Sequence, residues 1–116
     1  MRMMFLGDLV GRSGRDAALE AIPDLIRLHG ADFVVVNAEN AAGGFGLTPE
    51  IATQLFEAGA DVLTTGNHVW DQKTIIPQMD RDPRILRPVN FPAGTPGKGA
   101  HLFTARNGAK IFVMNV

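Results

Sequence analysis

The 116-residue sequence contains no cysteine, which excludes a disulfide-stapled secreted scaffold and any thiolate metal site. It also lacks a dominant charge. Eleven Lys and Arg against twelve Asp and Glu leave a formal charge of −1, so the broad positive footprint of a duplex-binding protein is absent. Near-neutrality leaves a small nucleotide open as a substrate. No apolar run approaches the ~20 residues that span a bilayer. The apolar start of the chain is cut off at Gly7-Asp8, too early for a signal peptide. Internal repeats and low-complexity tracts are missing, as are the GxGxxG fingerprint and the phosphate-loop lysine. A single cytoplasmic domain with no membrane and no DNA duplex as partner is the expectation.

What is present is an alternation of short apolar runs with longer amphipathic stretches. Residues 3–6, 33–36 and 62–63 suit strands buried on both faces of a parallel sheet. Ala18, Ile22, Leu25 and Ile26 recur at helical spacing within residues 14–29, and Gly30 follows as a stop. Pro23 lies inside that stretch and predicts a kink or a break. A second helix is predicted from Thr48 as N-cap and Pro49 as first residue, through Ile51, Ala52, Leu55 and Phe56, to Gly59. A third, over residues 71–80, rests on Ile75, Ile76 and Met79. This β-α-β-α-β-α order predicts an open α/β sheet. Past Pro83, prolines and glycines crowd into an expected ordered loop. Residues 100–106 and 110–116 then flank Asn107-Gly108, a hairpin signal. The run Phe112-Val113-Met114-Asn115-Val116 reads as a core strand at the very end, so a truncated domain is expected.

Each apolar run is followed by a polar cluster: Gly7-Asp8, then Asn37-Ala38-Glu39-Asn40, then Gly66-Asn67-His68. Taken singly, each has an ordinary reading. The first is a turn and helix-capping device, the second an Asx-turn loop, the third a turn with an exposed histidine. Their conjunction says more, because in open α/β sheets ligands bind outside the carboxyl ends of the strands. Asp8, Glu39, Asn40, Asn67 and His68 should converge there. Two carboxylates, two amide oxygens and an imidazole suit Mn, Fe or Zn rather than thiolate-seeking metals.

The segments Gly7-Asp8-Leu9-Val10-Gly11-Arg12, Asn37 through Gly46, and Thr65-Gly66-Asn67-His68-Val69-Trp70-Asp71 resemble the YmdB-like branch of the calcineurin-like metallophosphoesterases. Leu86-Arg87-Pro88 and residues 90–99 extend the likeness over essentially the whole chain. The resemblance implies a layered α/β/β/α fold and a centre of two metal ions, Fe or Mn, with Zn as a further candidate. It implies Asp8 and Asn40 as ligands of one metal, Glu39 as the bridge, Asn67 as a ligand of the other, and His68 as the acid that protonates the leaving oxygen. The wider superfamily bridges with Asp and places an acidic residue after the histidine. Glu39 and Val69 depart from that pattern and fit the narrower branch.

The activity so implied is metal-dependent hydrolysis of cyclic nucleotides, 2′,3′-cyclic and also 3′,5′-cyclic. The resemblance implies that a dinuclear metal pair would supply a bridging hydroxide as nucleophile, with His68 protonating the leaving group. Arg12 and Arg15 either hold a phosphate near a helix N-terminus or face solvent. Phe45, in Gly43-Gly44-Phe45-Gly46, either stacks on a base or packs in its loop. Trp70 reads as packing, and His29 and His101 as surface residues. The family also uses histidines in a Gly-x-His-x-His-type element that these 116 residues lack. The chain alone is therefore expected to hold metals weakly and turn over slowly. Two other readings remain open: a nucleotide-binding module without chemistry, and an assembly unit whose sheet edge pairs with another chain as a homo-oligomer.

Overall fold

A computed structural model describes all of residues 1–116. Strands β1 (Met3–Leu6), β2 (Phe33–Asn37), β3 (Val62–Thr64) and β4 (Ile85–Leu86) form one parallel sheet in sequential order. Helices α1 (Gly11–His29), α2 (Pro49–Ala58) and α3 (Ile76–Arg81) connect them, with a 3₁₀ turn at Lys73–Ile75 before α3. Strands β5 (Ala100–Thr104) and β6 (Lys110–Met114) form a separate antiparallel hairpin. No helix is long and apolar enough to cross a membrane.

The unbroken apolar run of β2 reports two covered faces. Side chains alternate along a strand. Val34 and Val36 join Leu63, Ile85, Ile22, Leu55 and Met79 in the larger core on the helical side. Phe33 and Val35 join Val62, Leu86, Ala105 and Ile111 in a smaller core beneath the hairpin. Fully burying a side chain of this size contributes roughly 1.5–3 kcal/mol. The layers are helices, parallel sheet and hairpin. The second helical layer of the α/β/β/α arrangement does not occur among these residues.

Four expectations need correction. Pro23 does not break α1, which runs through it to a left-handed cap at Gly30. An interior proline costs ~3 kcal/mol or more. Ile22 is fully buried beside it and Ile26 packs against the same core, which offsets that loss. The predicted helix over 71–80 is split. Residues before Lys73 form turns instead, and α3 starts at Ile76 with Pro77 in its first turn. The loop expected after Pro83 contains β4, whose two residues are completely buried. Two residues are too few to show a period, so the strand was invisible in the pattern. Finally, β1 is not buried on both faces. It is an edge strand, with Met4 and Leu6 against the helices while Met3 and Phe5 stay exposed.

The second helix start and the hairpin turn follow their sequence signals, but the last strand is not a core strand: Phe112, Met114 and Val116 are exposed. Thr48 Oγ1 accepts the Ile51 N–H at 3.3 Å, the expected N-cap bond. In the hairpin, Ala105 N–H donates to Ala109 O at 2.8 Å and Gly108 N–H to Ala105 O at 2.9 Å. Gly108 alone takes a positive φ, +85°, so the turn is a three-residue loop rather than the two-residue type that Asn-Gly also permits.

Candidate active site

The three polar clusters do lie together beyond the carboxyl ends of β1, β2 and β3, and backbone bonds stitch them to one another. Leu9 N–H donates to Asn37 O at 3.0 Å, Gly11 N–H to Asn40 O at 2.9 Å, and Ala38 N–H to Thr64 O at 2.9 Å. The parallel register, with Leu6 opposite Val36 and Asn37 opposite Thr64, brings the three loops out at one level. Within the second loop, Glu39 N–H donates to Asn37 Oδ1 at 3.1 Å, the Asx turn foreseen for this segment.

Side chains complete the links. Asn40 Nδ2 donates to both carboxylate oxygens of Asp8, at 3.0 and 3.1 Å. His68 N–H donates to Glu39 Oε1 at 3.2 Å. The Glu39 carboxylate fills the space beside Gly66 that any Cβ at that position would need, which explains why a glycine precedes Asn67-His68. Asp8, Glu39, Asn40 and His68 are thus gathered in two polar pairs on loops that share backbone bonds. Asn67 sits on the same loop as His68 but is exposed and makes no side-chain hydrogen bond to the others.

Around His68 a cradle forms that the sequence reading missed. His68 Nδ1 lies 2.7 Å from Asp71 Oδ2. The Phe45 ring meets the imidazole edge-on, with centroids 5.3 Å apart and planes at 74°. Gln72 Nε2 donates to Phe45 O at 3.1 Å and fastens the glycine loop to the His68 loop. Gly46 takes φ +78°, and a Cβ there would crowd Gln72 N and His68 O at 3.1 Å. Asp71 stood within the quoted motif, and its i+3 spacing from His68 was the signal that could have found it.

The secondary candidates separate. Arg15 donates from Nη1 to Ala41 O at 3.1 Å and is mostly buried, so it braces the second loop from α1. Arg12 is exposed and faces Asp16 at 3.7 Å. Phe45 is 57% exposed, with His68 against its ring. Trp70 packs on Phe91 at 5.3 Å and leaves its Nε1 buried without a partner. His29 is exposed, but His101 is half-buried and meets Phe103 edge-on at 4.9 Å, so it is not a plain surface residue.

The donor chemistry suits a hard or borderline cation. Asp8 and Glu39 enter no ion pair with Lys or Arg, so their negative charge is not neutralised within the chain. Their hydrogen bonds come from a neutral amide and a backbone N–H. Asn40 Oδ1 accepts no hydrogen bond. Yet no group of three or more His, Asp or Glu side chains converges closely enough to hold a metal ion unaided. The residues fit part of a coordination shell.

The acidic and amide oxygens of this α/β chain lie beyond the carboxyl edge of a parallel sheet, the edge at which folds of this kind bind their ligands. The chain belongs to the YmdB-like protein family, whose model matches residues 4–116. Over its full length it is 46% identical to a Bacillus subtilis protein named 2′,3′-cyclic-nucleotide 2′-phosphodiesterase, covering 44% of that protein. A Thermus thermophilus protein described as hypothetical superposes with a TM-score of 0.90 at 36% identity, over 98% of this chain and 44% of the other. A Mycoplasma pneumoniae protein described as a novel phosphatase superposes with a TM-score of 0.85 at 35% identity, over 97% and 41%. The chain spans less than half the length of these relatives.

Proposed function

We propose that the chain forms the amino-terminal part of a calcineurin-like, metal-dependent phosphodiesterase acting on cyclic nucleotides, 2′,3′-cyclic and also 3′,5′-cyclic. The observation that carries this reading is the pair of unneutralised carboxylates, Asp8 and Glu39, held by backbone-stitched loops next to an imidazole. The substrate class draws on the Bacillus subtilis relative, and the phosphoester chemistry also on the Mycoplasma pneumoniae structure.

Asp8 and Asn40 would hold one metal ion, Asn67 the other, and Glu39 would bridge them. When bound, Mn, Fe or Zn in such a pair supplies an activated water and neutralises charge on the phosphate. These four side chains provide fewer donors than two catalytic metals require, so further ligands complete the shells. Gly66 leaves Glu39 its space, and Asn40 restrains Asp8 while keeping Oδ1 free to coordinate. His68 delivers a proton to the departing sugar oxygen, a contribution of roughly 10²–10⁴-fold. Arg12 and Phe45, both exposed, would contact the phosphate and the base.

The test pairs binding with turnover. Mn²⁺ binding followed by calorimetry should be measurable and weak, and should vanish in Asp8→Ala. Any hydrolysis of 2′,3′-cyclic AMP should be lost with chelator and with the same substitution. Hydrolysis that survives both, or Mn²⁺ binding indifferent to Asp8, overturns the reading.

A second reading, as an assembly unit, has one observation in its favour. Leu102, Phe112 and Met114 are exposed on the outer face of the hairpin, and Met3 and Phe5 on β1. Association that rises with protein concentration in the absence of metal or nucleotide supports it.

A further inference from the structure

We propose that Asp71 is a positioning residue for His68, fixing the proton on Nδ1 and presenting Nε2 as the working nitrogen. This deepens the phosphodiesterase reading and rests on His68 acting as the acid.

The geometry comes from the loop after β3. Val69 N–H donates to Gly66 O at 3.1 Å and Asp71 N–H to His68 O at 3.0 Å, so the chain turns tightly twice in succession. The turn brings residue i+3 back beside residue i. Asp71 Oδ2 lies 2.7 Å from His68 Nδ1, a short charge-assisted distance, and the Asp71 carboxylate makes no other hydrogen bond. A carboxylate accepts and cannot donate when ionised, so Nδ1 must carry the hydrogen. Nε2 makes no hydrogen bond within the chain and is left for an external group.

Three further contacts limit the ring and its loop. Phe45 stands edge-on to the imidazole, and Gln72 anchors the Phe45 backbone. The His68 N–H is held by Glu39. The imidazole is bounded by Asp71 at one nitrogen and Phe45 at its side, while its backbone is tied to the Glu39 carboxylate. An ordinary surface pair at this spacing is worth only ~0–1 kcal/mol to stability. Orientation of a reacting group has value of another kind, because a misplaced proton donor loses rate without any loss of fold. In metal sites and triads alike, the hydrogen bond at one ring nitrogen determines which tautomer the other presents.

The experiment compares wild type, Asp71→Ala, Asp71→Glu and His68→Ala by two readouts. The first is the ring-nitrogen NMR spectrum of His68 in the metal-free chain, recorded with the imidazole neutral. Wild type should show Nδ1 protonated. Asp71→Ala should shift the ring toward the Nε2–H tautomer or a mixture, and Asp71→Glu should restore part of the wild-type signature. The second compares rates with Mn²⁺ on 2′,3′-cyclic AMP, which has a poor leaving group, and bis-p-nitrophenyl phosphate, whose good leaving group needs no acid. Asp71→Ala should lower the first on the order of 10–10²-fold, within what a general acid supplies, and spare the second. An unchanged tautomer in Asp71→Ala overturns the proposal, and so does an equal loss on both substrates. If His68→Ala leaves cyclic-nucleotide turnover intact, it is the acid role that fails. The metal-free spectrum then still decides the pairing, because it requires no activity.

Discussion

The two ends of the parallel sheet hold carboxylates, and only those at the amino ends include partners of arginine side chains. At the amino ends, Asp32, Asp61 and Asp82 stand shortly before β2, β3 and β4; Asp61 and Asp82 each pair with an arginine side chain, while Asp32 is held by a backbone N–H alone. Asp32 accepts the Arg2 backbone N–H at 2.7 Å. Asp61 accepts from Val34 N–H at 2.7 Å and pairs with Arg106 at 2.6 Å, while Arg106 also donates to Gly59 O at 2.8 Å. Asp82 pairs with Arg84 at 2.8 and 2.9 Å. At the carboxyl ends, Asp8 and Glu39 have no such cation. A carboxylate beside a guanidinium has its charge answered by the fold. One that receives only an amide and a backbone N–H has its charge unanswered within the chain.

The largest effect that could break this contrast is expected at the carboxyl end. Glu39→Gln keeps an acceptor for His68 N–H but removes the charge. Loss of a supporting residue around a metal costs 10–100-fold in affinity, and loss of a ligand should cost at least that, on the order of 10²-fold for Mn²⁺. Stability should move by less than about 0.5 kcal/mol, because Glu39 offsets no buried charge. Calorimetric Mn²⁺ titration alongside urea unfolding reads both quantities. A large stability loss with unchanged metal affinity would erase the distinction between the ends.

Asp61→Ala is the mirror experiment. It removes the acceptor from Val34 N–H in a fully buried strand residue and leaves Arg106 without its carboxylate. An orphaned buried donor costs about 1–3 kcal/mol. Mn²⁺ affinity should stay within about twofold, since Asp61 lies at the far end of β3. Urea midpoints check the first quantity and the same titration checks the second.

How much of this was visible in the sequence follows from how each feature is encoded. The strand–cluster alternation exposed Asp8, Glu39, Asn40 and His68, because a parallel strand must end in a loop at the same edge each time. The capping signal at Thr48 and the turn signal at Asn107-Gly108 were legible because they are local chemistry. Features that depend on tertiary burial were not. The continuity of α1 through Pro23 depends on Ile22 and Ile26 finding the core, and β4 depends on β3 offering Ile85 and Leu86 a place. The Arg106–Asp61 pair, 45 residues apart in sequence, is a contact that no spacing rule singles out. The Asp71–His68 pair has a regular spacing, but that spacing means contact only once the loop is known to turn.

The smallest effect comes from the second amino-end pair, Asp82–Arg84, and sharpens the comparison through pH. Burial pushes the Asp82 carboxyl up, but hydrogen bonds from the Arg84 side chain and backbone N–H, together with the guanidinium charge, outweigh it and hold it below its ordinary value. The side-chain bond and the carboxylate charge raise Arg84 in turn, against the opposing effect of burial. A carboxyl depressed in the folded state contributes stability above its unfolded pKa, near 3.9, and loses that contribution as pH falls through the folded value. Arg84 is half-exposed and also lies over the Phe56 ring at 3.9 Å, so solvent screening keeps the pair modest. Asp82→Asn should therefore lower stability by roughly 0.2–1 kcal/mol at pH 7. The gap from wild type should hold steady down to about pH 5 and narrow below about pH 4. Urea unfolding of both proteins across that range is the check. A gap that stays constant to the lowest pH at which both remain folded would mean that the arginine does not answer this carboxylate's charge. Packing would then have to account for this pair, and Asp61 alone would stand for the amino end in the comparison.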